Sequence, residues 1–203
     1  MPNPTAIFCD IGGVFLTNAW GVDARQKAIE AFHLDAPAFE VVHATLLDPL
    51  ETGRITLDDY LDRTVFDRQR SFTKEAFKEF MRAQSQPFPE TLGILSCLAQ
   101  SKKYFLACLN NESREMNLHR IQSFGLRDYF SVFLSSCYLG VRKPGDAIYR
   151  MALEIAQRAP QESLFIDDRE INVEGARRAG MLVIQYQNPA ALRRELENYG
   201  VMV

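Results

Sequence analysis

Five polar residues could carry chemistry in this chain: Asp10, Asn110, Lys143, Asp167 and Asp168. Four of them follow short apolar stretches typical of buried strands, and Lys143 lies in a loop that precedes a helical pattern. Because the carboxyl ends of parallel strands open on one crevice, we expect these side chains to meet there. Carboxylates, a fixed cation and an amide in one crevice indicate phosphate chemistry with a divalent metal ion.

The sequence around Asp10 predicts a carboxylate that is exposed to a ligand in the crevice. Gly12 and Gly13 follow at once, so the backbone turns directly after the apolar segment. Such a carboxylate could attack phosphorus and form an aspartyl-phosphate, and a solvated strand-end aspartate is the alternative. Asp167 and Asp168 repel each other unless a cation or a proton intervenes, which favours Mg²⁺.

Each of the other polar positions also has a structural interpretation. Asp168 could cap the helix that follows it, and Lys143 could be a surface lysine instead of a cation for a phosphate dianion. Asn110 and the adjacent Asn111 could bind a phosphoryl oxygen or form a turn. Glu51, beside a Gly53 turn, could reach a pocket or lie at a solvated helix end.

Apolar strands alternate with helical patterns, which predicts an α/β fold with a doubly wound, Rossmann-like parallel sheet. One interval lacks strand patterns and predicts an inserted helical bundle, in which Thr56 and Asp59 form a capping box. We expect residues 1–15 and 88–203 to form the core, and residues 16–87 to form the bundle. The predicted strands are 5–9, 103–109, 131–134, 163–166 and 181–184, and the predicted insert helices are 22–34, 37–49, 57–68 and 73–84.

Composition limits the function classes. The formal net charge is −3, without a run of Lys or Arg, which argues against a nucleic-acid or anionic-membrane surface. No apolar run reaches the length of a membrane span, and the first residues lack signal-peptide features, so we expect a cytoplasmic protein. The apolar surroundings of Cys9, Cys97 and Cys108 predict reduced core thiols, and a nucleophilic Cys9 would need a nearby base. The sequence does not indicate an oligomeric state.

The order of these segments strongly resembles the haloacid dehalogenase-like (HAD) superfamily over almost the whole chain. Its most specific parts are LGVRKPGDAIYRMAL at 139–153 and FIDDREINVEGARRAGM at 165–181. The helical insert resembles the C1-type cap of that family. The stretch LETGRITLDDYL at 50–61 is similar to the branch that holds α-D-glucose-1-phosphate phosphatases and the N-terminal phosphatase domain of soluble epoxide hydrolase.

The resemblance implies a Mg²⁺-dependent phosphatase that acts on a small phosphorylated metabolite, with a sugar phosphate as one candidate. By the same resemblance, Asp10 is the nucleophile and Lys143 holds both the nucleophile and the phosphate. The resemblance also implies further site residues. These are Asn110 and Asn111 for the phosphate, and Asp10, the backbone carbonyl of Gly12, Asp168 and, directly or through water, Asp167 for the metal ion.

Two positions depart from the family pattern. Gly12 replaces the aspartate that protonates the leaving group, and Asn110 replaces a Ser or Thr. Loss of a general acid costs about 10²–10⁴-fold in rate, so we expect a preference for leaving groups that need little protonation. The alternatives are a non-catalytic phosphate-ligand-binding descendant, favoured by Gly12 and Asn110, a metal-independent 2-haloacid dehalogenase, and a phosphoacceptor domain.

Overall fold

The computed structural model describes residues 4–203, so the first three residues of the predicted core segment 1–15 lie outside the described residues. Five parallel strands form one sheet in the order β3-β2-β1-β4-β5. This order places the first strand in the centre, as a doubly wound fold requires, and confirms the predicted α/β class. The strands are β1 (Ala6–Cys9), β2 (Phe105–Cys108), β3 (Val132–Phe133), β4 (Ser163–Asp167) and β5 (Leu182–Gln185).

The strand register brings the distant polar residues together. Cys9 pairs with Cys108 on one side and with Ile166 on the other. The residues that follow these three positions therefore lie level at the carboxyl edge of the sheet. The side chains of β1 are buried on both faces, which explains why its sequence is continuously apolar instead of alternating.

Helices cover both faces of the sheet and fill the predicted insert. The helices α1 to α4 lie between β1 and Pro89, as the sequence predicts. The short α7 and the C-terminal α10 were not predicted. The helices are α1 (Val22–Phe32), α2 (Ala36–Glu51), α3 (Leu57–Thr64), α4 (Lys74–Ala83), α5 (Pro89–Ser101), α6 (Arg114–Ser123), α7 (Ser136–Leu139), α8 (Asp146–Ala156), α9 (Glu170–Arg178) and α10 (Pro189–Asn198).

The insert helices share an apolar cluster of their own, separate from the two clusters that pack against the sheet. Its largest buried side chains are Tyr60 and Phe77, with Trp20 packed edge-on against Phe77. The predicted capping box forms, since Thr56 and Asp59 exchange hydrogen bonds at the start of α3. This separate cluster supports the division into a core and a cap of residues 16–87, which we retain as a proposal.

One predicted core residue lies on the surface. Cys97 is exposed, whereas Cys9 and Cys108 are buried as predicted. The buried stripe of α5 consists of Thr91, Ile94, Leu95 and Leu98, and position 97 faces away from it. Within the described residues, every helix is too short or too polar to cross a lipid bilayer.

Candidate active site

A buried lysine joins the ends of two strands. The Nζ atom of Lys143 lies 3.1 Å from Oδ1 of Asp10, after β1, and 2.6 Å from Oδ2 of Asp167, at the end of β4. Only 1% of Lys143 is exposed, so the interpretation as a surface lysine is wrong. A buried cation that contacts two carboxylates is stable only because both partners remain in place.

Asp167 is saturated with hydrogen bonds. Its Oδ1 accepts from the backbone N–H of Arg169 at 2.9 Å and from Nδ2 of Asn172 at 3.0 Å. Its Oδ2 accepts from Lys143 and from the same amide of Asn172. These contacts fix the carboxylate of Asp167, which in turn positions Lys143.

Asp168 is arranged differently. Its Oδ1 is buried and accepts no hydrogen bond. It does not cap α9, whose N-cap residue is Arg169. Carboxylate oxygens of Asp10, Asp167 and Asp168 lie within 4.8 Å of one another. An unpartnered carboxylate oxygen beside two further acids is the donor set that a hard divalent cation binds, so these residues fit a Mg²⁺ ion.

The electrostatics of the cluster also favour a bound cation. Burial, opposed by the charge of Lys143 and assisted by that of Asp167, raises the pKa of Asp10 to about 7. Burial and the charge of Asp167 likewise raise the pKa of Asp168. Burial alone would lower the pKa of Lys143, but the two adjacent carboxylates raise it above its usual range, so the lysine stays charged.

The loop after Asp10 is shaped by close contacts. A Cβ atom at Gly13 would lie 2.2 Å from Oδ2 of Asp168, and its φ of +75° also favours glycine. A Cβ atom at Gly12 would lie 2.6 Å from Oδ1 of Asn18 and 3.6 Å from Nη1 of Arg120. The amide of Asn18 therefore occupies the space next to position 12, where the family resemblance leads us to expect an acid.

The two adjacent asparagines have different surroundings. Asn111 lines the cavity, and its amide exchanges two hydrogen bonds of 2.9 Å with the backbone of Lys143. Asn110 is buried, and its Nδ2 donates to Oδ1 of Asn117 at 3.0 Å. Asn111 thus fixes the backbone that carries the lysine. The role of Asn110 as a phosphate donor stays a prediction, and its contacts connect strand β2 to helix α6.

A cavity of about 450 Å³ opens between the sheet edge and the insert helices, and Asp10 and Lys143 line it on the side of the sheet. The insert contributes Trp20, His43 and Glu51 to its wall. Trp20 also donates from Nε1 to the hydroxyl of Tyr60, so it both packs in the cap and faces the cavity. Burial and the charge of Arg25 lower the pKa of His43 to about 4, so this imidazole is neutral.

Several wall residues were missed from the sequence. Arg142 forms an ion pair of 2.8 Å with Glu51, and the buried Arg120 pairs with Glu112 at 3.0 Å. A cue for Arg142 was present, because it directly precedes Lys143. Arg120 had no local cue, since it lies in the middle of an otherwise ordinary helix, α6.

Comparisons with known proteins identify the family of this chain. The family model for haloacid dehalogenase-like hydrolases matches residues 5–180. Bifunctional epoxide hydrolase 2 of Rattus norvegicus is 31% identical over 128 residues, which are 61% of this chain and 23% of the rat protein. This chain therefore aligns with about a quarter of that relative. A phosphorylated carbohydrates phosphatase of Thermotoga maritima is 26% identical over 180 residues, which are 87% of this chain and 82% of the relative.

A solved structure shares the fold. A HAD family enzyme from Bacteroides thetaiotaomicron, in complex with magnesium and inorganic phosphate, superposes with a TM-score of 0.72 at 23% identity. The alignment covers 91% of this chain and 95% of that enzyme. Because the family model spans most of the chain and the fold agrees, this chain belongs to the haloacid dehalogenase-like hydrolases.

Proposed function

We propose that this hydrolase is a Mg²⁺-dependent phosphatase that acts on a small phosphorylated metabolite through an aspartyl-phosphate on Asp10. The observation that carries the proposal is the buried Lys143 held between Asp10 and Asp167, beside the unpartnered carboxylate oxygen of Asp168. A carboxylate fixed next to a permanent cation can attack a phosphoryl group whose charge that cation offsets.

The roles follow from the contacts of each side chain. Asp10 Oδ attacks phosphorus, and Lys143 orients this carboxylate and neutralises a phosphate oxygen. Asp10, the backbone carbonyl of Gly12 and Asp168 would hold Mg²⁺, with Asp167 in support. When bound, the ion supplies a Lewis acid for the phosphoryl oxygens and offsets the charge of the acids.

The substrate class rests on the cavity and the relatives. A volume of about 450 Å³ suits a small molecule. The charged wall residues Arg142 and Glu51 suit a polar leaving group. A relative that is named as a phosphatase of phosphorylated carbohydrates makes a sugar phosphate the first candidate to test.

Two other functions compete with this proposal. A non-catalytic binder of a phosphorylated ligand is favoured by Gly12, which removes the usual acid. A 2-haloacid dehalogenase would use the same aspartate without a metal ion. The three clustered acids, with an unpartnered carboxylate oxygen on Asp168, suit a metal ion and so argue against the dehalogenase.

A panel of phosphate esters tests the proposal, with Mg²⁺ in one arm and EDTA in the other. We expect phosphate release that requires Mg²⁺ and falls at least 10³-fold in Asp10→Asn. The control Asp128→Asn makes the same chemical change at an exposed position and should leave the rate unchanged. Retained phosphate binding without turnover of any ester would instead identify a binding protein, and chloride release from 2-chloropropionate would identify a dehalogenase.

A further inference from the structure

Glycine at position 12 leaves the proposed reaction without its usual proton donor, so the carboxyl groups of the cavity wall are the candidates for that role. Apart from the metal-binding cluster, the described wall residues include two, Glu51 and Glu112. Glu112 is fully engaged, because Oε1 accepts from the backbone of Ser113 and Oε2 accepts from Arg120. Glu51, in contrast, has one charged partner, since its buried Oε2 lies 2.8 Å from Nη2 of Arg142, although that contact lacks hydrogen-bond geometry.

Contacts with the core hold Glu51 in place. It is the last residue of α2, and its backbone carbonyl accepts a hydrogen bond of 2.6 Å from the hydroxyl of Ser136. Gly53 follows it so closely against the core that a Cβ atom there would lie 2.3 Å from the backbone oxygen of Cys137. Arg142, which pairs with Glu51 at 2.8 Å, directly precedes Lys143 in the chain. The carboxyl group is therefore held in the wall of the cavity that Asp10 and Lys143 also line, although it belongs to the insert.

We propose that Glu51 is the general acid and base of this enzyme and supplies from the cap the proton that position 12 cannot supply. The inference rests on the proposed phosphatase function. As Asp10 forms its bond to phosphorus and the P–O bond to the leaving group breaks, the carboxylic acid of Glu51 gives its proton to the leaving oxygen. The resulting carboxylate then takes a proton from the water that attacks the aspartyl-phosphate. This second step releases hydrogen phosphate and restores both Asp10 and the protonated Glu51.

The charges around Glu51 suit this exchange. Burial, opposed by the charges of Arg142, Arg169 and Lys143 and assisted by that of Glu112, raises the pKa of Glu51 to about 7. Near neutral pH the group is therefore divided between its acid and base forms, the condition under which one side chain serves both steps well. His43 is neutral under the same conditions, so it lacks the imidazolium proton that a proton donor needs.

With Gly12 alone, no group would protonate the leaving oxygen, and the enzyme would prefer activated esters. With Glu51 in that role, the enzyme also hydrolyses unactivated alkyl phosphates, whose leaving groups require a proton. A pair of esters whose leaving groups differ widely in basicity therefore best distinguishes an enzyme that protonates the leaving oxygen from one that does not.

The test compares kcat/KM for p-nitrophenyl phosphate and glycerol 2-phosphate in the wild type and Glu51→Gln. This constant reports enzyme phosphorylation, the step in which the leaving oxygen departs. We expect a loss of about 10²–10⁴-fold for the alkyl ester and less than about tenfold for the aryl ester. The control Glu79→Gln changes an exposed glutamate of the cap and should alter neither.

A rescue variant separates catalysis from structure. Position 12 has an ordinary backbone conformation, and the obstacle to a side chain there is the flexible end of Asn18, so Gly12→Asp can be accommodated. Added to Glu51→Gln, it should restore alkyl-ester hydrolysis at least tenfold. An equal loss on both esters, or no loss, would overturn the inference and leave the phosphatase proposal intact.

The pH profile of the wild type gives a readout that needs no variant. We expect kcat/KM for the alkyl ester to fall above pH 7 relative to that for the aryl ester, since only the alkyl ester requires protonated Glu51. Parallel profiles for the two esters would overturn the assignment. Failure of the proposed function has a different signature, because the wild type would then release phosphate from neither ester.

Discussion

Replacement of Lys143 by methionine is the perturbation that the site geometry constrains most. Methionine keeps most of the apolar stem and removes the charge that lies 3.1 Å from Asp10 and 2.6 Å from Asp167. Removal of one partner from a buried ion pair costs about 3–5 kcal/mol, because the remaining charge is left buried and uncompensated. Here two carboxylates lose their cation and a third, on Asp168, lies within 4.8 Å. We therefore expect the unfolding free energy to fall by about 3–5 kcal/mol at pH 8.

The loss should depend on pH with a definite sign. Without the lysine, the folded-state pKa of Asp10 rises above its present value of about 7, whereas the unfolded value stays near 3.8. The folded variant then holds this proton more tightly than the unfolded chain does. Its stability is retained below the unfolded pKa and is lost as the pH rises through the folded pKa. The difference from the wild type should therefore be smaller at pH 5 than at pH 8.

Urea unfolding followed by far-UV circular dichroism, at both pH values and in EDTA, measures these quantities. The control Lys103→Met removes an exposed lysine and should change the unfolding free energy by less than about 0.5 kcal/mol. Addition of Mg²⁺ should narrow the difference between Lys143→Met and the wild type, because a bound cation replaces part of the missing charge. A loss below about 1 kcal/mol at pH 8, or a larger loss at pH 5, would refute the reasoning.

Two further predictions concern the backbone of Lys143 and the cap. Asn111→Ala removes both hydrogen bonds to the backbone of Lys143. We therefore expect the unfolding free energy to fall by about 2 kcal/mol and kcat to fall at least tenfold. An unchanged kcat would contradict this positioning role. The folded-state pKa of His43 lies at about 4, below its ordinary 6.5, so stability is present above pH 6.5 and is lost as the pH falls towards 4. Between pH 7.5 and pH 5 the unfolding free energy of the wild type, measured by urea unfolding, should fall by about 2 kcal/mol more than that of His43→Gln. Equal losses would show that His43 is not buried in its neutral form.

The α/β fold and the place of the main acids followed from local sequence patterns. Apolar segments such as residues 6–9 and 163–166 are too short for buried helices and end in acids, and parallel pairing then brings those acids to one edge. The capping box at Thr56 is equally local, because its two hydrogen bonds join residues three positions apart. Such features need little knowledge of the rest of the chain.

Side-chain direction and contacts between distant segments were decided only by the tertiary structure. Successive residues at a strand end point in different directions, so Asn111 contacts Lys143 while Asn110 contacts Asn117, and two identical letters gave no basis for the distinction. The position of Glu51 depends on how α2 docks against Ser136, 85 residues away in the chain. Because that docking is set by packing between non-local surfaces, the sequence supplied the acids of this site, and the folded chain determined which further carboxyl groups line the cavity.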